Sequence, residues 1–173
     1  MAFDRKKLKN WWWYHRVHVL IAVLALAVIV YSMIPNLLAP KPDCALAVAG
    51  RIPLPDETIS AIRGRLGDAV GDVNGDRRVI VELNSYTVDL SGETEGYWNY
   101  QGAAAFDADL VGQKSGLFLC DDPAGFQANV AVKVENMISC AALPLFTELV
   151  PDYWFTVRSD NGEAVMLYRQ IAR

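Results

Sequence analysis

Oxygen-bearing side chains recur at alternate positions of Asp72-Val-Asn74-Gly-Asp76, where a tight turn would bring all three toward one point. That arrangement suits Ca2+, a hard cation that takes six to eight oxygens. The Arg78 backbone carbonyl would add a fourth ligand by position, and Glu82 would join if the following strand bends back. The competing reading is a polar Asn-Gly turn with solvated acids, and Arg77 and Arg78 beside the loop argue for it. Paired carboxylates offer acid–base chemistry at Asp107 with Asp109, Asp121 with Asp122, and Glu93 with Glu95, although such pairs are commonplace on acidic surfaces.

Other chemistry is excluded by what is missing. Both histidines, His15 and His18, lie in the N-terminal flank, so beyond it there is no Ser-His-Asp or Cys-His machinery and no usual catalytic zinc site. Gly112-Gln-Lys-Ser-Gly116 lacks the spacing and strand context of a phosphate loop, and no glycine fingerprint for a dinucleotide follows a strand. No catalytic and no cofactor-binding residue is therefore assigned. Cys44, Cys120 and Cys140 cannot all pair within one chain; Cys44 and Cys120 read as small apolar core residues, and a Cys120–Cys140 bridge stays open. Tyr97, Trp98 and Tyr100 cluster in a polar, glycine-bearing stretch, which makes them either a recognition surface or anchors to the core.

The segment Gly71-Asp-Val-Asn-Gly-Asp76 resembles the calcium loop of dockerin repeats and EF-hands. It departs from them at Arg77, where a glycine is expected, and at Leu83, where the twelfth position calls for a carboxylate. The resemblance implies Ca2+ as the single candidate cofactor, bound weakly at Asp72, Asn74 and Asp76.

The elements that must position these groups begin with Val17 to Leu38, which carries no formal charge between Val19 and Ile34. At about 1.5 Å per residue this stretch covers the roughly 30 Å hydrocarbon core of a bilayer. Arg5, Lys6, Lys7, Lys9 and Arg16 precede it together with Trp11, Trp12, Trp13 and Tyr14, whereas the other flank offers only Lys41 nearby. That asymmetry predicts a single-pass cell-membrane protein with a cytoplasmic N-terminus. A cleaved signal peptide is the rival, but the apolar run is long for one and Leu37-Leu38-Ala39-Pro40 is a poor processing site. The predicted organisation is a basic, aromatic tail at 1–16, a transmembrane helix at 17–38, a linker at 39–43 and an extracytoplasmic domain at 44–173.

Charge divides at the same place. The tail has five basic residues against Asp4, for +4, and the remaining 11 basic and 19 acidic residues give −8. An acidic outer domain repels phosphate backbones, so no nucleic-acid partner is expected, while the tail suits anionic lipid. The domain's length suffices for one core.

Within it, Cys44 to Ala49 is continuously apolar, as in a strand buried on both faces. Pro55, Asp56 and Glu57 open a helix carrying Ile59, Ile62 and Leu66 at helical spacing, with Gly67 as its C-cap. A strand is predicted over Val79–Val88, a polar loop over Ser91–Gly102, a helix over Ala103–Leu110, a turn over Gly112–Gly116 and a short buried strand over Leu117–Cys120. Ala124–Val130 reads as a short helix anchored by Phe126, and Tyr153–Arg158 as a strand. Asp160 with Glu163 forms a capping-box pattern for a C-terminal helix, with a hairpin at Asn161-Gly162 as the alternative. The stretch from Ala131 to Leu149 fits neither period.

Strand–helix alternation predicts an α/β fold: one N-terminal transmembrane helix, then a single small domain with a mainly parallel central sheet flanked by helices. The whole resembles a type of bacterial single-pass protein with a small outer α/β domain. Its Ala103–Asp122 segment is similar to part of a lobe of type 2 solute-binding proteins, but the chain is too short for two lobes that close on a ligand. The expected function is a membrane-anchored extracytoplasmic binding or interaction module, accessory to a transporter or envelope complex. Its partners would be the bilayer and a membrane or envelope protein. A carboxylate-based hydrolase and a structural subunit of a membrane complex are the alternatives.

Overall fold

The computed structural model describes residues 5–38, 40–92 and 97–172. The chain falls into two compact units, Met1–Pro40 and Lys41–Arg173.

The first unit is one helix, α1 (Arg5–Leu38), free of glycine and rich in leucine, alanine and valine. Within it Trp11–Ser32, with mean hydropathy 1.9 and none of its length buried, is long and apolar enough to cross a membrane. This window begins six residues before the expected Val17 and takes in the tryptophan run. There the Arg16 guanidinium lies 4.3 Å from the Trp13 ring centroid, and His15 packs between Trp11 at 5.2 Å, Tyr14 at 5.5 Å and His18 at 6.2 Å. Both histidines are thus ring-packing partners in the aromatic flank.

The second unit is a five-stranded sheet in the order β2-β1-β3-β5-β4. Its elements are β1 (Cys44–Gly50), α2 (Asp56–Val70), β2 (Val81–Thr87), α3 (Tyr97–Gly112), β3 (Leu117–Cys120), α4 (Pro123–Asn129), β4 (Ile138–Ser139), β5 (Trp154–Val157) and α5 (Gly162–Ile171). Leu46 and Val48 of β1 face Ile62 and Leu66 of α2 and Ala164, Tyr168 and Ile171 of α5. Ala47 and Ala49 face the other way, onto Phe106 and Leu110 of α3 and Phe126 of α4. Helices therefore cover both faces, as a strand apolar on both sides requires.

The sheet is mixed, which corrects the expectation of a mainly parallel one. β1 runs parallel to β2 and β3, but β5 runs antiparallel to both β3 and β4. A further parallel strand would sit directly beside β3, but β4, reached through α4 and running in the direction of β3, leaves that place to β5. The chain instead passes to the edge at β4 and comes back through a 3₁₀ turn at Cys140–Ala142 into β5.

Local corrections follow capping chemistry. α2 does not stop at Gly67: it continues to Val70, and Gly71, at φ 70°, caps it by donating to the Gly67 carbonyl. The expected loop over Ser91–Gly102 is helical from Tyr97 onward. The C-terminal helix forms and the hairpin does not, but its cap is Asn161, whose side chain accepts from Ala164 N at 3.1 Å. Asp160 instead pairs with Arg158, 3.1 Å away. The short helix at Pro123 is capped by Asp122, and Phe126 anchors it at 1% exposure.

α3 rests directly on β2 at Gly102, where an added Cβ would lie 1.7 Å from the Thr87 carbonyl oxygen. Gly102→Ala is expected to destabilise the domain by about 3 kcal/mol, because a helix must then lift from the sheet. Chemical denaturation followed by tryptophan fluorescence measures this, and an unchanged midpoint would show that α3 does not bear on Thr87.

Candidate functional site

The Asp72–Asp76 loop leaves α2 and enters β2, and its organiser is a residue outside the motif. Asp43, 8% exposed just ahead of β1, accepts from Val73 N at 2.9 Å and Asn74 N at 3.0 Å through Oδ1, and from Ile80 N at 2.8 Å through Oδ2. Asn74 returns a bond from Nδ2 to the Lys41 carbonyl at 2.9 Å. The N–H groups of Ile80, Asn74 and Val73 hold the Asp43 carboxyl below the ordinary aspartate range. Loop and linker are thereby laced together.

Inside the loop the expected ligand atoms face backbone donors. Asp72 accepts from Gly75 N at 2.7 Å and Arg77 N at 2.8 Å, Asn74 from Asp76 N at 2.9 Å, and Asp76 from Arg78 N at 2.8 Å. These are Asx-type turns, and they carry Gly75 and Arg77 into positive φ at 77° and 66°. Glu82 stands on β2 and accepts from Asn84 Nδ2 at 3.3 Å. Among the described residues no group of three His, Cys, Asp or Glu side chains is gathered to hold a metal ion. Ca2+ at Asp72, Asn74 and Asp76 would share these oxygens with the turn's own hydrogen bonds.

The paired carboxylates part company. Asp109 is 1% exposed and accepts from Tyr86 Oη at 2.6 Å, Ser115 N at 2.9 Å and Ser115 Oγ at 2.8 Å, while Asp107 is exposed. Asp122 caps α4, accepting from Ala124 N at 3.1 Å and Gly125 N at 2.9 Å. Asp121 accepts from Arg51 N at 2.8 Å. Glu93 and Glu95 lie outside the described residues. The three cysteines are free and buried, and burial pushes each thiol up to about 12, so none is a thiolate near neutral pH.

Tyr97 and Trp98 belong to the first turn of α3, and their side chains also lie outside the described residues. Tyr100, in the same helix, is 76% exposed and stands free of the core.

Open α/β sheets take ligands at the carboxyl ends of their strands where the winding reverses, here between β1 and β3. That position is plugged. The Tyr153 hydroxyl sits so close to Gly50 that an added Cβ there would lie 2.7 Å from it, and Asp121 Cγ would be 3.3 Å away. Burial, then the nearby Asp121 charge, raises the Tyr153 hydroxyl above its ordinary value. Asp121 Oδ1 is buried without a partner, held under this lid.

An open groove lies elsewhere on the sheet, where β2 begins. Ser60, Arg63, Gly64, Gly67 and Asp68 of α2 line a groove of about 640 Å³ against Val79, Ile80 and Val81. It is open at Gly64, where an added Cβ would meet nothing within 4 Å, and closes at Gly67, where one would lie 3.5 Å from Val79 Cγ1.

No protein-family model, curated protein or solved structure matches the chain.

Sequence reasoning missed Asp43 and this groove. An acid between Pro42 and a buried strand was the available signal for the first, and two glycines within one helix for the second. Because its folded pKa is lowered, Asp43 contributes stability above its unfolded value near 3.9 and loses it as pH falls through the folded value. Asp43→Asn should therefore melt lower than the parent at neutral pH, with the gap closing below about pH 4. Thermal melts across that range measure it, and a gap independent of pH would remove Asp43 from the role.

Proposed function

We propose that the chain is a single-pass membrane protein with a cytoplasmic N-terminus, whose acidic outer domain is an extracytoplasmic binding or interaction module serving a transporter or envelope complex. The apolar, unburied Trp11–Ser32 helix and the +4 tail before Val17 support the anchor and its direction. The commitment of the acids to the fold supports interaction over hydrolysis. Asp109 and Asp122 are bound to backbone and hydroxyl donors and Asp121 to Arg51, so these three described acids are held by the fold. Exposed Tyr100 and the groove beside β2 are surfaces of the kind a partner uses.

Protease added to intact cells should remove the domain after Pro40 and spare the tail. A freely soluble product beginning near Cys44 would identify the apolar helix as a signal sequence and overturn the anchor.

Calcium enters this proposal as a weak ligand of the loop that laces the linker to the domain. Extracellular modules work at about 10⁻⁴ to 10⁻³ M, and a site that lacks a twelfth-position acid and shares its oxygens with Asx turns belongs at the weak end. A rise in melting temperature in several millimolar calcium that Asp72→Ala removes would establish the ion by linkage. Equal melts with calcium and with chelator would leave Asp72, Asn74 and Asp76 as a turn alone.

A further inference from the structure

The parity of β2 decides which of its backbone groups are unclaimed. Ile80 turns toward β1: its carbonyl accepts from Asp43 N at 2.8 Å and its N–H donates to Asp43 Oδ2 at 2.8 Å. Val88, eight residues on, also turns inward, donating to the Gly50 carbonyl at 2.9 Å. Backbone direction alternates along a strand, so the even residues between them bond β1 and the odd ones point away. β2 is the end of the sheet, with β1 as its sole partner strand among the described residues. Thr87 O is covered by Gly102 of α3, which leaves Val81, Leu83 and Ser85 presenting N–H and C=O groups outward.

Edge strands of this length are normally blunted by lysine, proline or a bulge, and β2 has none of these. Its start opens onto the groove, where Gly64 and Gly67 form a notch beside Val79, which is 46% exposed. Asp68 on the rim takes part in no ion pair among the described residues, and Glu82, on the opposite face of the strand with Asn84 and Tyr86, accepts from the Asn84 amide and forms no ion pair among them either. Arg63 is the rim's cation beside Asp68, within a domain carrying −8 after the tail.

We propose that an extended segment of a partner protein adds to the open edge of β2, seating an apolar side chain in the Gly64–Gly67 notch on the α2 face and a basic one against Glu82 on the α3 face. This rests on the reading of the domain as an interaction module and names its mode of recognition. Main-chain bonds to Val81, Leu83 and Ser85 would supply affinity, and the notch on one face with Glu82 on the other would supply selectivity. A second copy fits less well. Two-fold pairing of β2 edges is antiparallel and sets the two β1 amino ends about 23 Å apart along the strands, whereas anchors in one membrane call for both at the same end.

The test uses the full chain in lipid nanodiscs, with short peptides of alternating lysine and valine or of alternating glutamate and valine as probes. The lysine peptide should slow hydrogen exchange over residues 79–87, and the glutamate peptide should bind about tenfold more weakly. Gly64→Leu should weaken the lysine peptide about tenfold with an unchanged or higher melting temperature, since the side chain fills the notch without touching the core. Equal binding of both peptides, protection elsewhere, or no effect of Gly64→Leu would overturn the proposal. So would disulfide-linked dimers formed by Ser85→Cys in membranes, which would give the edge to a second copy. Each of these outcomes leaves the anchored topology standing, because that is read separately by protease protection.

Discussion

From Leu46 to Ala49, β1 is buried on both faces, at 2% exposure or less, and this forces the rest of the domain into layers. A strand apolar on both sides cannot sit at a surface, so helices must close over it from above and below. The residues divide the task by size. Leu46 and Val48 meet aliphatic side chains of α2, each such burial being worth about 1.5–3 kcal/mol. Ala47 and Ala49 leave room on the other face for Phe106, Phe118 and Phe126, whose ring centroids lie 5.6 to 6.4 Å apart.

What could be read in advance was what the period of the chain encodes. Leu117–Cys120 and the core of Tyr153–Arg158 were visible as strands because their apolar runs are short and dense. Their relative direction was not, since burial looks the same whichever way a strand runs; the antiparallel β5 depends on a return through residues 140–153 that has neither period. Helix ends were off by a few residues for a related reason. Gly67 is a plausible stop in isolation, but its backbone stays helical and the positive φ of the cap falls on Gly71, whose N–H reaches the Gly67 carbonyl. The polar run after Ser91 hid a helix start because polar composition alone does not distinguish a loop from a first turn.

The candidate sites show the same division between local and distant causes. The Asp72–Asp76 pattern was legible, and its side chains do fold inward, but the donors they meet and the Asp43 carboxylate 30 residues earlier are matters of tertiary arrangement. Asp109 looked like half of a surface pair and is a buried junction for Tyr86 and Ser115, which only the pairing of β2, α3 and β3 could bring to it. Tyr153 plugging the carboxyl end of β1 was equally invisible, because it arrives on an antiparallel strand.

The Asp43 clasp has a mechanical meaning. A pull transmitted along the linker reaches the domain at β1, which is hydrogen-bonded along its length to β2 and along half of it to β3, so the load falls on two ladders in shear rather than opening one bond at a time. Before it reaches either ladder it must strip the three N–H bonds that Asp43 gathers and the Asn74 bond to Lys41. Those few bonds can open locally without breaking either ladder, which would free residues 41–43 while the sheet stays folded.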